Sequence, residues 1–498
     1  MPGRIRDLAR HTGAYGVATI AGGITRIALV PVVARYLSTE EYGRASVILI
    51  LITLLAIAFD LGLSSSLIKF VNEAREVEDR KRVVSTVLAT SLLVALPAVA
   101  VLALVPDRLS NLLLGDASYG TLVLVGLAGG LGNGMLQIGL SYERAIAKSF
   151  RYVIYTVLKG ALSLALTVLL IVAFRKGAVG LVAGLGIPPL AIGAVIYSQR
   201  AAQFSLKLSR RVARQVLDFG LPLVPMNLAM WVLAYSDIYL IRRLLPAGVA
   251  LSEVGLYQYA HEICLVLVLP VTSLNLAWPQ FLFSNHAKEG APDLFARVHG
   301  YFSFFLIAMA FILSAFSYHI LAVVGSETYL GSYGVIPLLS GSLVFYGLSI
   351  LYASGLYVAG RTRVLAGVVG CCAVLNVVLN LLLIPPLGKG GAALATLATN
   401  LVMAMTLLVL AGRAYRIPFR VAPALGSVAA GAALLAGVRW YAGRAPGVAG
   451  FLYQLVASLI FLCMLMLLYR MTPGRIAGGI SLLKSLVRPG AAGGRDKR

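Results

Sequence analysis

DFGLPLVPMNLAMWVLAYSDIYLIRRLLP (218–246), followed by AGVALSEVGLYQYAHEICLVLVLPVTSLNLAWPQFLF (247–283), decides how this chain is read. Pro222 and Pro225 frame the start of an apolar run that carries Asp237, and after a turn a second apolar run carries His261 and Glu262. Runs this long read as membrane helices, because a helix needs about 20 apolar residues to cross roughly 30 Å of hydrocarbon. A charge at the centre of such a helix costs about 2.5–3.5 kcal/mol on insertion scales, so ionisable groups kept there mark candidate sites.

The rest of the sequence has the same character. Of its 498 residues, 59% are hydrophobic and 12% charged, and the mean hydropathy is +0.90. A soluble protein cannot bury that much apolar surface. Membrane β-barrel strands alternate over roughly ten residues, whereas these runs are continuous, so the expected fold is an all-α integral membrane protein. Cys264, Cys371, Cys372 and Cys463 lie in apolar runs without ligand spacing, so neither a disulfide framework nor a metal site is expected, and no cofactor.

Spans are expected near 14–36, 44–69, 83–105, 119–142, 152–174, 178–198, 217–244, 254–284, 298–324, 333–359, 364–385, 390–412, 420–440 and 449–470, about fourteen in all. The net charge of +23 is spread over short loops rather than gathered on a soluble face, which argues against nucleic acid as a partner. Of the 42 Lys and Arg residues, 30 fall on one side of this topology and 10 on the other, leaving Arg26 and Lys159 within spans. The positive-inside rule then puts both termini in the cytoplasm, and the first run is too long to be a cleaved signal peptide.

The chain repeats itself. Glu41-Tyr42-Gly43 returns as Glu253-Val254-Gly255, Arg151 as Arg363, and Lys176-Gly177-Ala178 as Lys389-Gly390-Gly391, at offsets of 212, 212 and 213. The repeat predicts two homologous six-helix lobes in the same orientation, 1–199 (spans 1–6) and 217–413 (spans 7–12), related by a pseudo-two-fold axis along the membrane normal. A cytoplasmic linker, 200–216, joins them, spans 13 and 14 (414–470) are appended, and a basic tail (471–498) follows. The linker reads as a surface helix with Leu206, Leu208 and Val212 facing lipid.

Several stretches resemble a known family. They are Arg35-Tyr36-Leu37-Ser38-Thr39-Glu40-Glu41-Tyr42-Gly43, Phe59-Asp60-Leu61-Gly62-Leu63-Ser64, Phe219-Gly220-Leu221-Pro222-Leu223-Val224-Pro225, Glu253-Val254-Gly255-Leu256-Tyr257, and Leu379-Asn380-Leu381-Leu382-Leu383-Ile384-Pro385 through Gly391-Ala392-Ala393. As a set they look like the pattern of bacterial polysaccharide transporters, the Wzx-type oligosaccharide-lipid flippases of the multidrug/oligosaccharidyl-lipid/polysaccharide exporter superfamily. The resemblance implies two lobes around a central cavity in the bacterial cytoplasmic (inner) membrane. They would move an undecaprenyl-diphosphate-linked oligosaccharide, a polysaccharide repeat unit, from the cytoplasmic to the outer leaflet by ion-coupled alternating access. Implied partners are that glycan, membrane lipids, a polysaccharide polymerase and other export components. The motifs mostly mark turns and helix packing, so they leave the cargo open.

Candidate site residues follow from depth. Arg26 and Lys159 lie too deep to snorkel and read as cavity cations for an anionic headgroup, the alternative being a packing pair with a carboxylate such as Asp60. Arg35 and Arg242, near outer span ends, are second candidates for substrate contact, with an interfacial anchor or a local salt bridge equally in view. Asp237, Glu262, His261 and Asp60 are the candidate ion-coupling groups. His261 and Glu262 are adjacent, so a helix points them about 100° apart and they cannot both face one cavity. Gly129-Gly130-Leu131-Gly132-Asn133-Gly134 reads as close helix packing. Asn133, Gln137 and Asn227 read as groups that hydrogen-bond between helices, the alternative being that they line a hydrated path, and Trp231 and Tyr235 as either sugar-stacking or interfacial aromatics. A multidrug or cation exporter of the same superfamily is the alternative function, and it would call for an anionic or aromatic cavity. A membrane-embedded glycosyltransferase or polymerase would normally show a sizeable extramembrane loop carrying catalytic acids, and no expected loop is that long.

Overall fold

The structure, a computed structural model of the chain, describes residues 22–146, 148–201, 209–442, 448–470 and 474. Every regular element among them is helical. In order they are α1 (22–36), α2 (Thr39–Asp60), α3 (Leu63–Glu73), α4 (Val77–Ala103), α5 (Pro106–Leu114), α6 (Gly120–Ala145), α7 (Ser149–Val168), α8 (Gly177–Ala201), α9 (Arg210–Gly220) and α10 (Val224–Leu244). Then come α11 (Ala247–Ile263), α12 (Leu265–Asn285), α13 (Ala291–Ala315), α14 (Ser317–Val324), α15 (Ile336–Tyr352), α16 (Ser354–Val358), α17 (Thr362–Leu387), α18 (Lys389–Ala414), α19 (Val421–Ala442) and α20 (Val448–Tyr469).

Thirteen spans among the described residues are long and apolar enough to cross a membrane, and they follow the second to fourteenth expected runs in order. Helix α1 is the described part of the first run, whose residues 14–21 lie outside the described residues. The eighth run differs from expectation. It is two helices that meet at Cys264, whose N–H bonds the Ala260 carbonyl and whose own carbonyl takes the Leu267 N–H. His261 and Glu262 therefore sit in the last turn of α11, outside the spanning helix Leu265–Asn285.

The described residues form two compact units, one covering 20–258 and the other running from Tyr259 onward. In the first, the glycines of α6 let helices touch. A Cβ on Gly129 would come within 3.1 Å of the Gly186 Cα in α8, and one on Gly132 within 2.5 Å of the Leu190 nitrogen. The glycine stripe is thus a packing surface, as its small residues suggest.

Two of the quoted motifs meet in this unit. Leu61 and Gly62 adopt φ of 47° and 74° and break α2 from α3. A Cβ on Gly62 would lie 2.3 Å from the Gly220 carbonyl oxygen, so two glycines permit the contact. The Ser66 hydroxyl bonds the Val216 carbonyl at 2.7 Å beside it. Helix α9 is strongly amphipathic, but Val212 does not face lipid. Val216 is wholly buried among Leu63, Leu67, Val84 and Val87, with Val212 and Leu217 packed against the same cluster, because docking on α3 and α4 buries the apolar face better than the headgroup region does. Leu206 and Leu208 lie outside the described residues.

The repeated Glu-X-Gly motifs also touch one another, and reciprocally. A Cβ on Gly43 would fall 1.8 Å from the Leu251 carbonyl oxygen, and one on Gly255 would fall 1.9 Å from the Thr39 carbonyl oxygen. The same offset of 212 that maps Gly43 to Gly255 maps Thr39 to Leu251. The contact is therefore related to itself by a local two-fold, with a Thr39–Ser252 hydroxyl bond of 2.7 Å beside it.

In the unit from Tyr259 onward, aromatic pairs join the helices. Phe311 of α13 stacks on Phe461 of α20 at 3.9 Å. Trp278 of α12 packs edge-on against Phe295 of α13 and donates to the Ser354 hydroxyl at 2.8 Å.

Candidate functional site

Inside an apolar span a polar side chain must face protein or a hydrated space, because lipid offers no hydrogen bonds. Four such stripes converge in the unit 20–258. Thr53, Ile57, Asp60 and Ser64 come from α2 and α3; Asn133, Gln137, Leu140 and Arg144 from α6; Tyr152, Thr156 and Lys159 from α7; and Asn227, Trp231 and Tyr235 from α10. Each set recurs every three or four residues, the spacing of one helix face. Together they enclose a cavity of about 800 Å³.

Among the described residues, three charged side chains line the cavity. Lys159 has no hydrogen bond or ion pair among the described residues, and its electrostatic neighbour is Arg26, another cation. Helix α1 brings Arg26 there by packing on α7, where a Cβ on Gly160 would come within 2.7 Å of the Thr25 hydroxyl. Arg144 donates to the Ser141 hydroxyl at 2.8 Å and lies 5.9 Å from the Tyr152 ring. Asp60 accepts from the Ser64 N–H at 3.1 Å and from the Ser64 hydroxyl, and Arg144 is the cation that acts on it. Two cations against one carboxylate leave the wall net positive, before Arg26 is counted.

The rest of the lining is aromatic and amide-bearing. Trp231 is fixed by an Nε1–H bond to the Thr53 hydroxyl at 2.9 Å, and Tyr235 lies one turn on, with ring centroids 6.2 Å apart. Asn133 spends one amide hydrogen on the Gly129 carbonyl at 2.9 Å. Asn133, Gln137 and Asn227 thus line the cavity as well as any hydrogen bonds they make within it.

The structure brings Lys159, Arg26 and Asp60 to this region and places the other candidates elsewhere. Arg35 is exposed near the end of α1. Arg242 bonds the Leu114 carbonyl through Nη2 at 2.6 Å and Nε at 3.2 Å. Asp237 is buried and accepts a short bond from the Tyr257 hydroxyl. His261 and Glu262 are half-buried and belong to the other unit. Arg144 and Tyr152 escaped the sequence reading, because the charge count assigned Arg144 to a loop. The signal that finds them is the helical spacing from Asn133 and Gln137, and back from Lys159. Among the described residues, no cluster of three or more His, Cys, Asp or Glu side chains is placed to hold a metal ion.

Thirteen apolar spans with a net-cationic cavity among them describe a multi-pass helical membrane protein, and this chain is a transporter rather than an enzyme. Residues 8–279 match the family described as polysaccharide biosynthesis protein, and the chain belongs to that family. No curated protein sequence matches it significantly. In fold it is similar to the lipid II flippase MurJ in an inward closed conformation, with a TM-score of 0.73 and 16% identity over 91% of this chain and 98% of that one. It is also similar to a multidrug resistance MATE family transporter of the MOP superfamily in an inward-facing conformation, with a TM-score of 0.63 and 15% identity over 80% and 93%. The Vibrio cholerae MATE transporter VcmN, in a mutant form, gives 0.58 and 17% over 83% and 98%. The chain thus has the fold that this flippase and these MATE transporters share.

Proposed function

We propose that this transporter is a flippase that carries an undecaprenyl-diphosphate-linked oligosaccharide from the cytoplasmic to the outer leaflet of the bacterial inner membrane by alternating access. One observation carries the reading: Lys159, deep in a span and facing a cavity, has a second cation beside it and no carboxylate partner among the described residues. Moving an ionised group out of water costs several kcal/mol or more even after relaxation. Lys159, Arg26 and Arg144 offer a diphosphate charge-assisted hydrogen bonds that offset that cost. A cationic drug meets repulsion at the same wall, so the net positive charge favours the flippase over a multidrug exporter.

The rest of the lining suits the glycan. Trp231 presents a fixed apolar face to a sugar ring, and the amides of Asn133, Gln137 and Asn227 match hydroxyls. Ion coupling falls to Asp60 in this reading. Protonating it removes the counter-charge from Arg144 and strengthens the cavity's hold on an anion, and deprotonation weakens it. Asp237, Glu262, Arg35 and Arg242 then act away from the cargo. Both termini lie in the cytoplasm, in keeping with the distribution of basic residues over the loops.

Depleting the protein in its host tests the cargo. Mass spectrometry is expected to find lipid-linked oligosaccharide accumulating, shielded from membrane-impermeant reagents added outside. Unchanged levels of every lipid-linked sugar, or accumulation on the outer face, would contradict the proposal.

A further inference from the structure

The unit from Tyr259 onward has a cavity of its own. A hollow of about 670 Å³ opens between the first turns of α13, the segment leading into α19 and the end of α20. Asp293, Arg297, Gly300 and Tyr301 line it from one face of α13, at positions i, i+4, i+7 and i+8. Arg420 lines it between Pro418 and Pro423. Two of the three helices begin at this end and the third finishes there, so the hollow lies where spans meet lipid headgroups.

Its walls are set before any ligand arrives. Phe419, next to Arg420, packs its ring on His299 and Tyr352, with centroids 5.0 and 5.2 Å away. His299 and Tyr352 are fully buried and share a 3.1 Å bond between Nε2 and the hydroxyl. Tyr469 is held by a 3.0 Å bond from its hydroxyl to that of Ser303. Arg297 and Arg420, by contrast, are exposed and have no hydrogen bond or ion pair among the described residues. A basic residue at a span end ordinarily rests on an open interface. Here two of them face a rigid concavity, with Asp293 the one carboxylate among the described residues that line it.

Guanidinium groups hold phosphate oxygens through directed hydrogen bonds, and a tyrosine hydroxyl adds another donor. We propose that this hollow binds the phosphate group of an anionic membrane lipid, with Arg297 and Arg420 as its ligands and Tyr301 beside them. Two sources share that chemistry: bulk anionic phospholipid and a polyprenyl phosphate carrier. The site lies wholly within the second unit and does not depend on what the first cavity carries.

Gly300 supplies a test that leaves the charges in place. A Cβ there would meet nothing within 4 Å, and Gly300 lines the hollow, so Gly300→Leu adds a side chain at its wall. The full chain, in nanodiscs of phosphatidylcholine, is titrated with fluorescent phosphatidylglycerol, undecaprenyl phosphate and, as a neutral probe, phosphatidylcholine. Folding is checked by melting temperature. The wild type is expected to bind at least one phosphate lipid over the neutral probe. The Arg297→Gln, Arg420→Gln double variant and Gly300→Leu should each weaken that binding about tenfold or more, while Arg413→Gln, outside the hollow, leaves it unchanged. Preference for undecaprenyl phosphate identifies a carrier-lipid site, and binding of both lipids a general headgroup site. Wild-type affinity in the double variant or in Gly300→Leu, equal loss in Arg413→Gln, or equal binding of the neutral probe would overturn the proposal.

Discussion

The guanidinium of Arg242 reaches the carbonyl of Leu114 through two nitrogens, at 2.6 and 3.2 Å, where α5 ends in the left-handed Gly115. The last carbonyls of a helix lack partners within it and attract cations, so this arginine closes a helix end on another segment of the same unit. A Cβ on Gly115 would fall 1.9 Å from the Arg242 Nη2 and push the guanidinium aside, and the φ of 72° there favours glycine. Removing one charged hydrogen-bonding partner of this kind costs about 1.5–3 kcal/mol. Arg242→Gln is therefore expected to lower the melting temperature in detergent while leaving substrate affinity at the wild-type value. Unchanged melting with lost affinity would show that Arg242 touches cargo. Depth in a span marked Lys159 and Arg26 as candidates, and a place near an outer span end marked Arg242. Only contacts separate them, because one is engaged by a carbonyl and Lys159 faces open space.

Helix α2 and helix α11 approach each other so closely at Gly43 and Gly255 that neither position has room for a methyl group. Gly43→Ala and Gly255→Ala must push backbone carbonyls aside and should each destabilise the protein by roughly 2 kcal/mol or more. Gly248→Ala, in the same α11 with nothing within 4 Å of its added Cβ, should be neutral or slightly stabilising. Thermal melting of the three variants checks this, and equal melting of all three would contradict the reciprocal contact. These glycines were visible in the sequence as a repeated motif, but their meeting was not, because an offset records kinship and not proximity. Span positions were legible for a simpler reason: continuous apolar runs of membrane length have few other readings. The break at Cys264 was not, since apolar Ile263 and Leu265 flank it and no Gly or Pro adjoins it. The cavity was half legible. Lys159 and Asp60 stood out as charges within apolar runs, whereas Arg144 shows only in the spacing that ties it to Asn133 and Gln137 on one face of α6.

The fold is shared with proteins named as a lipid flippase and as multidrug transporters, so architecture alone does not choose the cargo. In the proposed function the choice rests on the charge of the cavity lining. Lys159 and Arg144, with Arg26 beside them, outweigh Asp60 and make the space attractive to a diphosphate and repellent to an organic cation. The measurement that decides between these readings is translocation in proteoliposomes, using a fluorescent undecaprenyl-diphosphate oligosaccharide and an impermeant reagent to count molecules that have crossed. The wild type should carry the glycolipid, and Lys159→Arg should retain most of that activity. The Lys159→Gln, Arg144→Gln double variant, inserted at normal abundance, should lose about tenfold or more, as expected when two charge-assisted contacts are removed. Wild-type transport by that double variant, or a wild-type protein that moves cationic dyes and leaves the glycolipid behind, would contradict the account.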